Sequence, residues 1–495
     1  MIRRSGYLLG ACAALFATSC AVGPAYKRPE APVPPDYKEI AAAAAATEGQ
    51  WKPAEPRDAA IRGKWWEIYA DPELNALEEQ VDVSNQNIAQ AEAQFRGARA
   101  AVRVARADFF PTLTTSPGVT RSQSSVSRTG LASGPVTVYS LPVDFSWELD
   151  VFGRIRRSVE ANVATAQASA ADLESVRLTM HAELAADYFE LRGLDAQKAI
   201  LDSNAASYEK ALQLTVNRHN QGVVSGIDVA QAETQLFTTR AQSTELDVQR
   251  AQFEHAIAIL IGKPPALLAI PPVVAIPVPP PIPVVVPSEL LERRPEIAAA
   301  ERRVASANAQ IGVATAAFFP RLLLEAAGGY QGGRLADWFT LPARFWSIGP
   351  AILQTIFDGG RRRAIKAQTE AAYDASVALY RLNVLTAFQQ VEDNLSALRL
   401  LSLEAAQQAD AVAAANRYLE LARSRYEGGI TSYLEVTTAQ SVALVNARIA
   451  VDLLTRRMTA SVNLIKALGG GWSTAELPEG RSLVFGGGEG KVSSR

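Results

Sequence analysis

Cysteine, histidine and methionine are scarce in this chain, and their scarcity limits the chemistry that it can perform. The 495 residues include two cysteines, three histidines and three methionines. Both cysteines fall within the first 20 residues, so the rest of the chain can form no disulfide and must be stabilised by packing alone. Metal binding and thiol catalysis therefore have few residues to draw on.

The three histidines also lack the neighbours that an enzyme site needs. His181-Ala182-Glu183 resembles the start of a zinc deaminase motif, but no Pro-Cys-x-x-Cys follows, so we expect His181 at a helix surface or in a core. His219 and His255 have no cysteine or histidine at ligand spacing. Because nucleophile elbows and phosphate loops are missing too, the sequence predicts a protein that is not an enzyme and needs no metal or other cofactor.

Excess charge and long apolar runs are missing as well. The formal net charge of −2 gives no reason to propose nucleic acid as a partner. Beyond the first residues, no segment has about 18 uninterrupted apolar residues, so no transmembrane helix is expected. Hydrophobic residues nevertheless make up 48% of the chain, which is enough for a large core.

The first residues have the pattern of a bacterial lipoprotein signal. Arg3-Arg4 is a basic start, Tyr7 to Phe16 is an apolar stretch too short to span a bilayer, and small residues precede Cys20. We expect a signal peptide at 1–19 and a lipid anchor on Cys20 with N-palmitoyl and S-diacylglycerol groups. Ala17 stands where leucine is usual. Two alternatives stay open: Cys12, which has almost no apolar region before it, and a plain secretory signal cut near Ala17.

Two copies of one architecture make up the rest of the chain. Phe109-Phe110-Pro111 returns as Phe318-Phe319-Pro320, an offset of 318 − 109 = 209 residues. Gly222-Val223-Val224-Ser225 returns as Gly429-Ile430-Thr431-Ser432, an offset of 429 − 222 = 207. So long a period indicates a duplication with equivalent elements in equivalent positions. We expect repeats at 63–262 and 288–469, an extended tether at 20–62 before them, a proline-rich connector at 263–287 between them, and a flexible tail at 470–495.

Each copy has the pattern of a helix, a β-hairpin, a long helix and a further helix. In the first copy the alternation from Leu141 to Leu149 predicts a strand with one apolar face, within a hairpin that spans 112–149 and turns at Gly130 to Pro135. Apolar residues three or four apart predict a packed stripe on each long helix. The predicted helices are Leu74–Asp108, Arg154–Asn217, Asp228–Ile261, Ser288–Ala317, Arg361–Arg425 and Glu435–Leu468, with second-copy strands at Leu322–Tyr330 and Phe345–Phe357.

Four strands per chain cannot close a barrel alone. Open strand edges are not tolerated in lipid, so several chains must pool their strands, and three chains would supply about 12. A barrel of that size is too wide for its own side chains to fill. The predicted fold class is therefore mixed α and β: mostly long α-helices forming an α-barrel tunnel, plus a four-stranded contribution per chain to a trimeric 12-stranded transmembrane β-barrel. An ordinary coiled coil also explains the helical stripes and stays open locally.

Several local motifs along the chain form a specific set. They are Cys20-Ala21-Val22-Gly23-Pro24, Tyr26-Lys27-Arg28-Pro29, Trp65-Trp66, Asp71-Pro72, Leu74-Asn75, Pro287-Ser288-Glu289-Leu290-Leu291-Glu292-Arg293-Arg294-Pro295-Glu296-Ile297, Phe357-Asp358-Gly359-Gly360, Arg425-Tyr426 with Gly429, and Tyr433-Leu434. Together they resemble the outer-membrane factor family, the TolC-like efflux channels, in its NodT-type lipoprotein branch. The resemblance covers the whole mature chain and implies a homotrimer in the outer membrane of a Gram-negative bacterium, lipid-anchored and extending into the periplasm. It also implies docking to a periplasmic adaptor (membrane fusion) protein and to an inner-membrane pump, most often of the resistance-nodulation-division type.

The family resemblance makes the two helix-to-helix turns a candidate periplasmic gate. In a trimer, Asp228 and Glu435 would place six carboxylates near one constriction, which would favour cations. The same residues fit capping boxes that begin at Ser225 and Ser432, so a purely structural role stays open. Related efflux branches often carry Asp where Thr431 stands, so this sequence departs from the gate pairing familiar there. The candidate gate residues are Asp228, Glu435, Arg218 and Arg425, which we expect to pair with the carboxylates, and Tyr426 and Tyr433, for which packing is the alternative.

These patterns predict a passive outer-membrane exit duct of a tripartite efflux system, which carries drugs or toxic compounds delivered by an inner-membrane transporter. A type I secretion exit channel and a non-channel, periplasm-spanning structural lipoprotein remain the alternatives. Phe109-Phe110-Pro111 and its copy are expected where helix meets barrel. An interfacial aromatic belt is expected to include Trp147, Trp338 and Trp346. No residue specifies the substrates, the pump or the adaptor.

Overall fold

The computed structural model describes residues 21–39, 63–123, 134–282 and 287–485. The same order of helices and strands occurs twice, and the strands of both copies join one sheet. This confirms the predicted mixed α and β class with long helices. The first copy contains α1 (Pro72–Ser84), α2 (Gln86–Ala107), β1 (Thr112–Thr115), β2 (Gly118–Ser122), β3 (Val136–Leu149), α3 (Arg154–Asn220) and α4 (Gly226–Leu260). The second contains α5 (Pro287–Arg293), α6 (Pro295–Ala316), β4 (Arg321–Gly332), β5 (Arg344–Leu353), α7 (Arg361–Glu427) and α8 (Tyr433–Ala467), and α9 (Gly480–Phe485) follows.

Some expectations concern residues outside the described ones. They are the signal peptide, the lipid site Cys20, the tether at 40–62, the part of the predicted hairpin turn that falls in 124–133, the connector at 283–286 and the tail at 486–495.

The helices of the two copies match in length. Helices α3 and α7 each have 67 residues, and α4 and α8 each have 35. At about 1.5 Å per residue, each of the two longest helices extends over about 100 Å. Both begin alike: Gly153 and Gly360 precede them with positive φ. In addition, the carboxylates of Asp150 and Asp358 accept backbone N–H groups of the first turn at 2.9 to 3.2 Å.

The helix predicted from Leu74 to Asp108 is broken at Asn85. The Asn85 side chain accepts the backbone N–H groups of Asn87 and Ile88, and its amide donates to the Leu260 carbonyl at 2.7 Å. Helix α4 therefore ends where α2 begins, and the two stack end to end beside α3. The second copy breaks at Arg294, where Pro295 starts α6, so the prediction of an unbroken Ser288–Ala317 helix is also wrong.

The strands form one antiparallel sheet in the order β1–β3–β4–β5, with β2 also paired to β3. Thr115 lies opposite Val143 and Gly118 lies opposite Ser140, so the register continues from β1 to β2 and Ser116-Pro117 only interrupts one strand. Two strand positions per copy, as predicted, thus give four. Strand β5 ends at Leu353 rather than Phe357.

Each copy has its own apolar core along its long helix. In the first, α3 contributes Leu184, Tyr188 and Leu191, which share a cluster with Trp65 and Trp66. In the second, Val384, Phe388 and Val391 of α7 pack against Tyr37 and residues of α6 and α8. Both stripes were predicted from their helical spacing. Among the described helices, none has both the length and the apolar composition to cross a bilayer.

The described part of the predicted tether, residues 21–39, is packed along the second copy. Asn308 donates to the Pro24 carbonyl at 3.1 Å, and Arg28 donates to the Tyr380 hydroxyl at 3.3 Å. Farther along α7, the Glu392 carboxylate accepts the N–H of Lys38 at 2.7 Å. This segment therefore begins near the sheet and follows α7 away from it.

The connector and the C-terminal segment are held by specific contacts as well. Buried Arg192 donates to the Pro271 carbonyl at 2.7 Å, and Asp195 accepts the N–H of Val273 at 3.1 Å. Residues 470–485 were expected to be a flexible tail. They pack instead, because Trp472 is buried against α3 and α6, and Leu483 is buried against α2 and α3.

Candidate functional site

The register of the sheet separates an apolar face from a polar one. Directly paired residues share a face. One row across all four strand positions is Leu113, Phe145, Ala326 and Ile348. The neighbouring row on the other face is Thr114, Asp144, Ala327 and Ser347. The apolar face also carries Leu141, Val143, Trp147, Leu149, Leu322, Leu324, Tyr330, Trp346 and Ile352.

Nothing in the described part of the chain covers either face of the sheet. No strand residue is buried, and apolar side chains on β5 such as Trp346, Ile348 and Ile352 are 66 to 72% exposed. The outer strands β1–β2 and β5 each have one edge that pairs with no described strand. A single chain therefore presents an apolar surface and two unpaired edges, which a water-soluble protein avoids.

The helices meet the sheet at the repeated Phe-Phe-Pro motif, as predicted. Phe109-Phe110-Pro111 lies between α2 and β1, and Phe318-Phe319-Pro320 lies between α6 and β4. The Phe319 ring stacks on Phe152 at 4.8 Å, and the Trp147 indole donates to the Phe109 carbonyl at 2.8 Å. Trp147 thus lies at the helical end of the sheet, whereas Trp338 lies in the β4–β5 loop; membership of an aromatic belt stays a prediction for all three tryptophans.

The opposite ends of the long helices carry the candidate gate. The two turns have the same backbone: Gly222 and Gly429 both have φ +73°. Val223 donates its N–H to the Arg218 carbonyl, and Ile430 donates to the Arg425 carbonyl, each at 2.9 Å. The duplication therefore extends to the hydrogen bonds that close each turn.

The two carboxylates of the turns have different partners. Asp228 accepts the N–H of Ser225 at 3.0 Å, and the Ser225 hydroxyl accepts the N–H of Ile227, so a capping box starts α4. Ser432 makes no side-chain cap, and a capping box at the start of α8 was a wrong prediction. Glu435 turns instead to the Thr431 hydroxyl and to Arg425, with 3.7 Å between Nη1 and Oε1. Because the arginine side chain is 54% exposed, this pair is weak on its own.

The two arginines also differ. Arg218 forms no ion pair with a described carboxylate, contrary to expectation, because its guanidinium lies over the Tyr426 ring at 4.9 Å from the ring centroid. Tyr426 and Tyr433 are both buried, with their ring centroids 5.3 Å apart. Burial raises the pKa of Tyr433 to about 12, so this ring stays neutral. In one chain the two tyrosines therefore pack between α7 and α8.

A groove of about 600 Å³ lies between α4 and α8 beside the turns. Six of its nine lining residues have polar side chains, and none of the nine is charged. Gln231 lines it and has a buried carbonyl oxygen without a partner among the described residues. The other lining residues are Ile227, Ala230, Thr234, Gln235, Thr437, Thr438, Ser441 and Val442.

Sequence reasoning missed a charged cluster between α1 and α3. His181 is buried in a core: Nδ1 lies 2.6 Å from Glu78, Nε2 lies 3.4 Å from Asp82, and the ring stacks on Trp66 at 4.4 Å. Burial alone lowers the pKa of His181, but hydrogen bonds to Asp82 and Glu78 outweigh it and raise the pKa to about 9. Burial raises the pKa of Glu78 to about 7. The described residues contain no group of three or more suitable side chains that could hold a metal ion.

Comparison with known proteins agrees with this geometry. A family profile described as "Outer membrane efflux protein" matches residues 77–263 and 286–470. This chain belongs to the outer membrane efflux protein family. It is thus an outer-membrane protein of the efflux type found in Gram-negative bacteria.

The outer membrane protein OprJ of Pseudomonas aeruginosa is 33% identical over 479 residues, 95% of this chain and 96% of that one. The toluene efflux pump outer membrane protein TtgF of Pseudomonas putida is 33% identical over 458 residues, 92% of this chain and 95% of that one. The solved outer-membrane channel OprN covers 92% of this chain and 100% of its own at 31% identity, with a TM-score of 0.81.

Proposed function

We propose that this efflux protein is the passive exit duct of a tripartite system, through which small molecules such as drugs and toxic compounds leave the cell. The observation that carries the proposal is the sheet, whose apolar face is continuous across four strand positions and whose two edges are unpaired. Unpaired edges leave N–H and C=O groups that lipid cannot satisfy. Closure with other copies of the chain removes both edges.

Three copies would close a barrel of about 12 strands, wide enough to hold water, with the polar face inward. Asp144 and Glu325 would then face the channel, because the register places both on the polar face. The long helices continue from the sheet at the Phe-Phe-Pro junctions, so the same three copies would extend the duct as a helical tunnel. The chain is accordingly a homotrimer in this proposal.

The partners would meet the duct at the turns beside the α4–α8 groove. A periplasmic adaptor that inserts a helix there would contact Gln231 and the threonines of both helices. An inner-membrane pump, of the resistance-nodulation-division type by family resemblance, would deliver the cargo. The six candidate gate residues would narrow the tunnel at this end, with the Arg425–Glu435 pair as the contact between α7 and α8 that must open.

A lipid on Cys20 fits the position of the next residue. A β-carbon built on Gly153 would lie 2.9 Å from the Ala21 β-carbon, so Ala21 lies at the junction of helix and sheet. Acyl chains on Cys20 would enter the leaflet beside this junction. Mass spectrometry of the N-terminal peptide tests the anchor: we expect an acylated Cys20, and an unmodified N-terminus near Ala17 would favour the plain secretory signal.

Planar-bilayer recording of the purified protein tests the duct itself. We expect discrete single-channel currents from a preparation that runs as a heat-modifiable trimer. Intact trimers without conductance would favour the structural lipoprotein, which needs no barrel. A deletion strain separates efflux from type I secretion: sensitivity to several unrelated small compounds supports efflux, whereas loss of one secreted protein with unchanged drug sensitivity contradicts it.

A further inference from the structure

The two ends of the sheet differ in how their arginines are neutralised. At the helical end, Glu148 pairs with Arg154 at 2.8 Å and also with Arg321. At the loop end, Arg334 and Arg344 are exposed and form no ion pair with a described carboxylate. Asp337 is the single acidic residue from 326 to 350, and 112–143 contains none. The loop end therefore carries positive charge that the chain itself leaves uncompensated.

Aromatic side chains lie beside Arg344 on the apolar face, and another lies in the loop that carries Arg334. Arg344 lies opposite Tyr330 in the register, and Trp346 follows on the same face, 72% exposed. The Phe339 ring packs at 5.1 Å from Tyr330 although it is 73% exposed. Phe339 also has φ +65°, a strained conformation for a bulky residue, so the loop holds this ring in place at an energetic cost.

This combination matches the headgroup level of a membrane. Aromatic residues favour the boundary between acyl chains and water, and arginine forms bidentate hydrogen bonds with phosphate. The outer leaflet of the outer membrane presents the phosphates of lipid A at that level. A free anion would not need an exposed aromatic surface next to it, whereas a lipid uses both.

We propose that Arg334 and Arg344, together with Phe339 and Trp346, form a binding site for the phosphorylated headgroup of an outer-leaflet lipid. The inference rests on the proposed function, because the loop end must lie at the outer surface of the membrane. The arginines hold the phosphate, and the aromatic rings cover the first carbons of the acyl chains. The site anchors the rim of the barrel in an anionic leaflet.

Binding of lipid A to the purified full-length trimer in detergent tests the site. We expect the R334Q/R344Q variant to bind phosphorylated lipid A about a hundredfold more weakly, since each of the two lost charge-assisted contacts is worth about a factor of ten. The unaltered protein should bind dephosphorylated lipid A equally weakly. The matched control is R361Q/R363Q, which removes two exposed arginines at the helical end and should leave binding unchanged.

Four further outcomes decide the inference. Equal affinity for dephosphorylated lipid A, or full affinity in R334Q/R344Q, overturns it. Complete competition by millimolar inorganic phosphate would make this a free-anion site and overturns the lipid assignment. The R334K/R344K variant keeps the charge without the planar fork, so partial loss supports the site and full retention contradicts it. Conductance of the same samples is recorded separately, so a failed channel and a failed lipid site are told apart.

Discussion

Asn85, Arg192 and His181 each connect parts of the chain that are distant in sequence through a buried polar group. Asn85 joins α2 to the end of α4, Arg192 holds the connector, and His181 joins α3 to α1. A buried polar group that loses its partner lowers the stability of the fold, so each of these contacts favours one arrangement of the helices. Such residues cannot be recognised by spacing, because their partners lie about 80 to 180 positions away.

The His181 cluster predicts that stability falls as the pH rises. The pKa of His181 in the folded protein is raised from 6.5 to about 9, so its contribution is complete below pH 6.5 and is lost as the pH passes 9. The raised pKa of Glu78 acts in the same direction between about pH 4.5 and 7. Thermal unfolding of the wild-type protein should show a loss on the order of 2 kcal/mol from pH 6.5 to 9.

His181→Gln should remove this pH dependence. His255→Gln is the matched control, since His255 is exposed on α4. A wild-type profile that is flat over this range, or an unchanged slope in His181→Gln, would show that the imidazole does not hold α1 to α3.

The gate residues predict a difference between the two turns. Arg425→Ala or Glu435→Gln removes the ion pair that joins α7 to α8 at the turn, so single-channel conductance at rest should increase. Asp228→Asn should leave conductance near the wild-type value, because its carboxylate is engaged in a cap on α4. Unchanged conductance in both Arg425→Ala and Glu435→Gln would refute the role of this pair.

At the scale of elements, the stacking of α4 on α2 depends on a close approach that glycine permits. A β-carbon at Gly262 would lie 2.2 Å from the Ser84 carbonyl oxygen, and one at Gly469 would lie 2.1 Å from that of Arg293. Both glycines also have positive φ. The two copies thus have a glycine of positive φ at the equivalent place, where the end of one helix meets the break between two others.

Gly262→Ala should therefore destabilise the protein much more than Gly222→Ala. Gly222 has a similar φ of +73° but nothing within 4 Å of its β-position, so only the backbone strain of about 1–2 kcal/mol applies there. At Gly262 the backbone must also shift, which adds about 1–3 kcal/mol. Urea unfolding of the two variants compares them, and equal losses would mean that the joint has room to adjust.

The local sequence pattern was enough to predict most helices and strands, but not the breaks between them or the contacts where they meet. The stripes on α3 and α7, the alternation in β3 and the Phe-Phe-Pro junctions depend on neighbours in sequence, so they could be recognised. The break at Asn85 could not, because helix propensity is high on both sides and the partner is Leu260. Glycine content suggested a flexible end at 470–485, but Trp472 and Leu483 find apolar surface on α3. At the gate, the Glu435 carboxylate contacts Thr431 and Arg425 and forms no capping box with Ser432, and sequence spacing alone cannot decide between these partners.

For the whole molecule, the sheet is the part that needs other copies. Its apolar rows are complete across one chain, yet neither the faces nor the outer edges are covered. The same four strand positions must therefore present an apolar face to lipid and pair their outer edges with other copies of the chain. A change on one face should affect insertion, whereas the same change on the other face should not.

Ile348→Arg and Ser347→Arg test this distinction at adjacent positions. Ile348 belongs to the apolar row and Ser347 to the polar row. A charge near the bilayer midplane costs about 2–4 kcal/mol on the lipid face. We expect Ile348→Arg to reduce the amount of heat-modifiable trimer in outer-membrane fractions, and Ser347→Arg to leave it near wild type. Equal yields, or a reversed order, would mean that the faces are assigned the wrong way round.

The matched helix lengths of the two copies constrain how such a gene can diverge. Helices of 67 and 35 residues occur in both copies, so all rods of the tunnel reach the same level. Deleting one turn from a single copy would leave a step of about 5.4 Å around the mouth. Natural length variants should therefore carry paired insertions or deletions, one in each copy. The distance bridged between the two membranes would then change only when both copies change together.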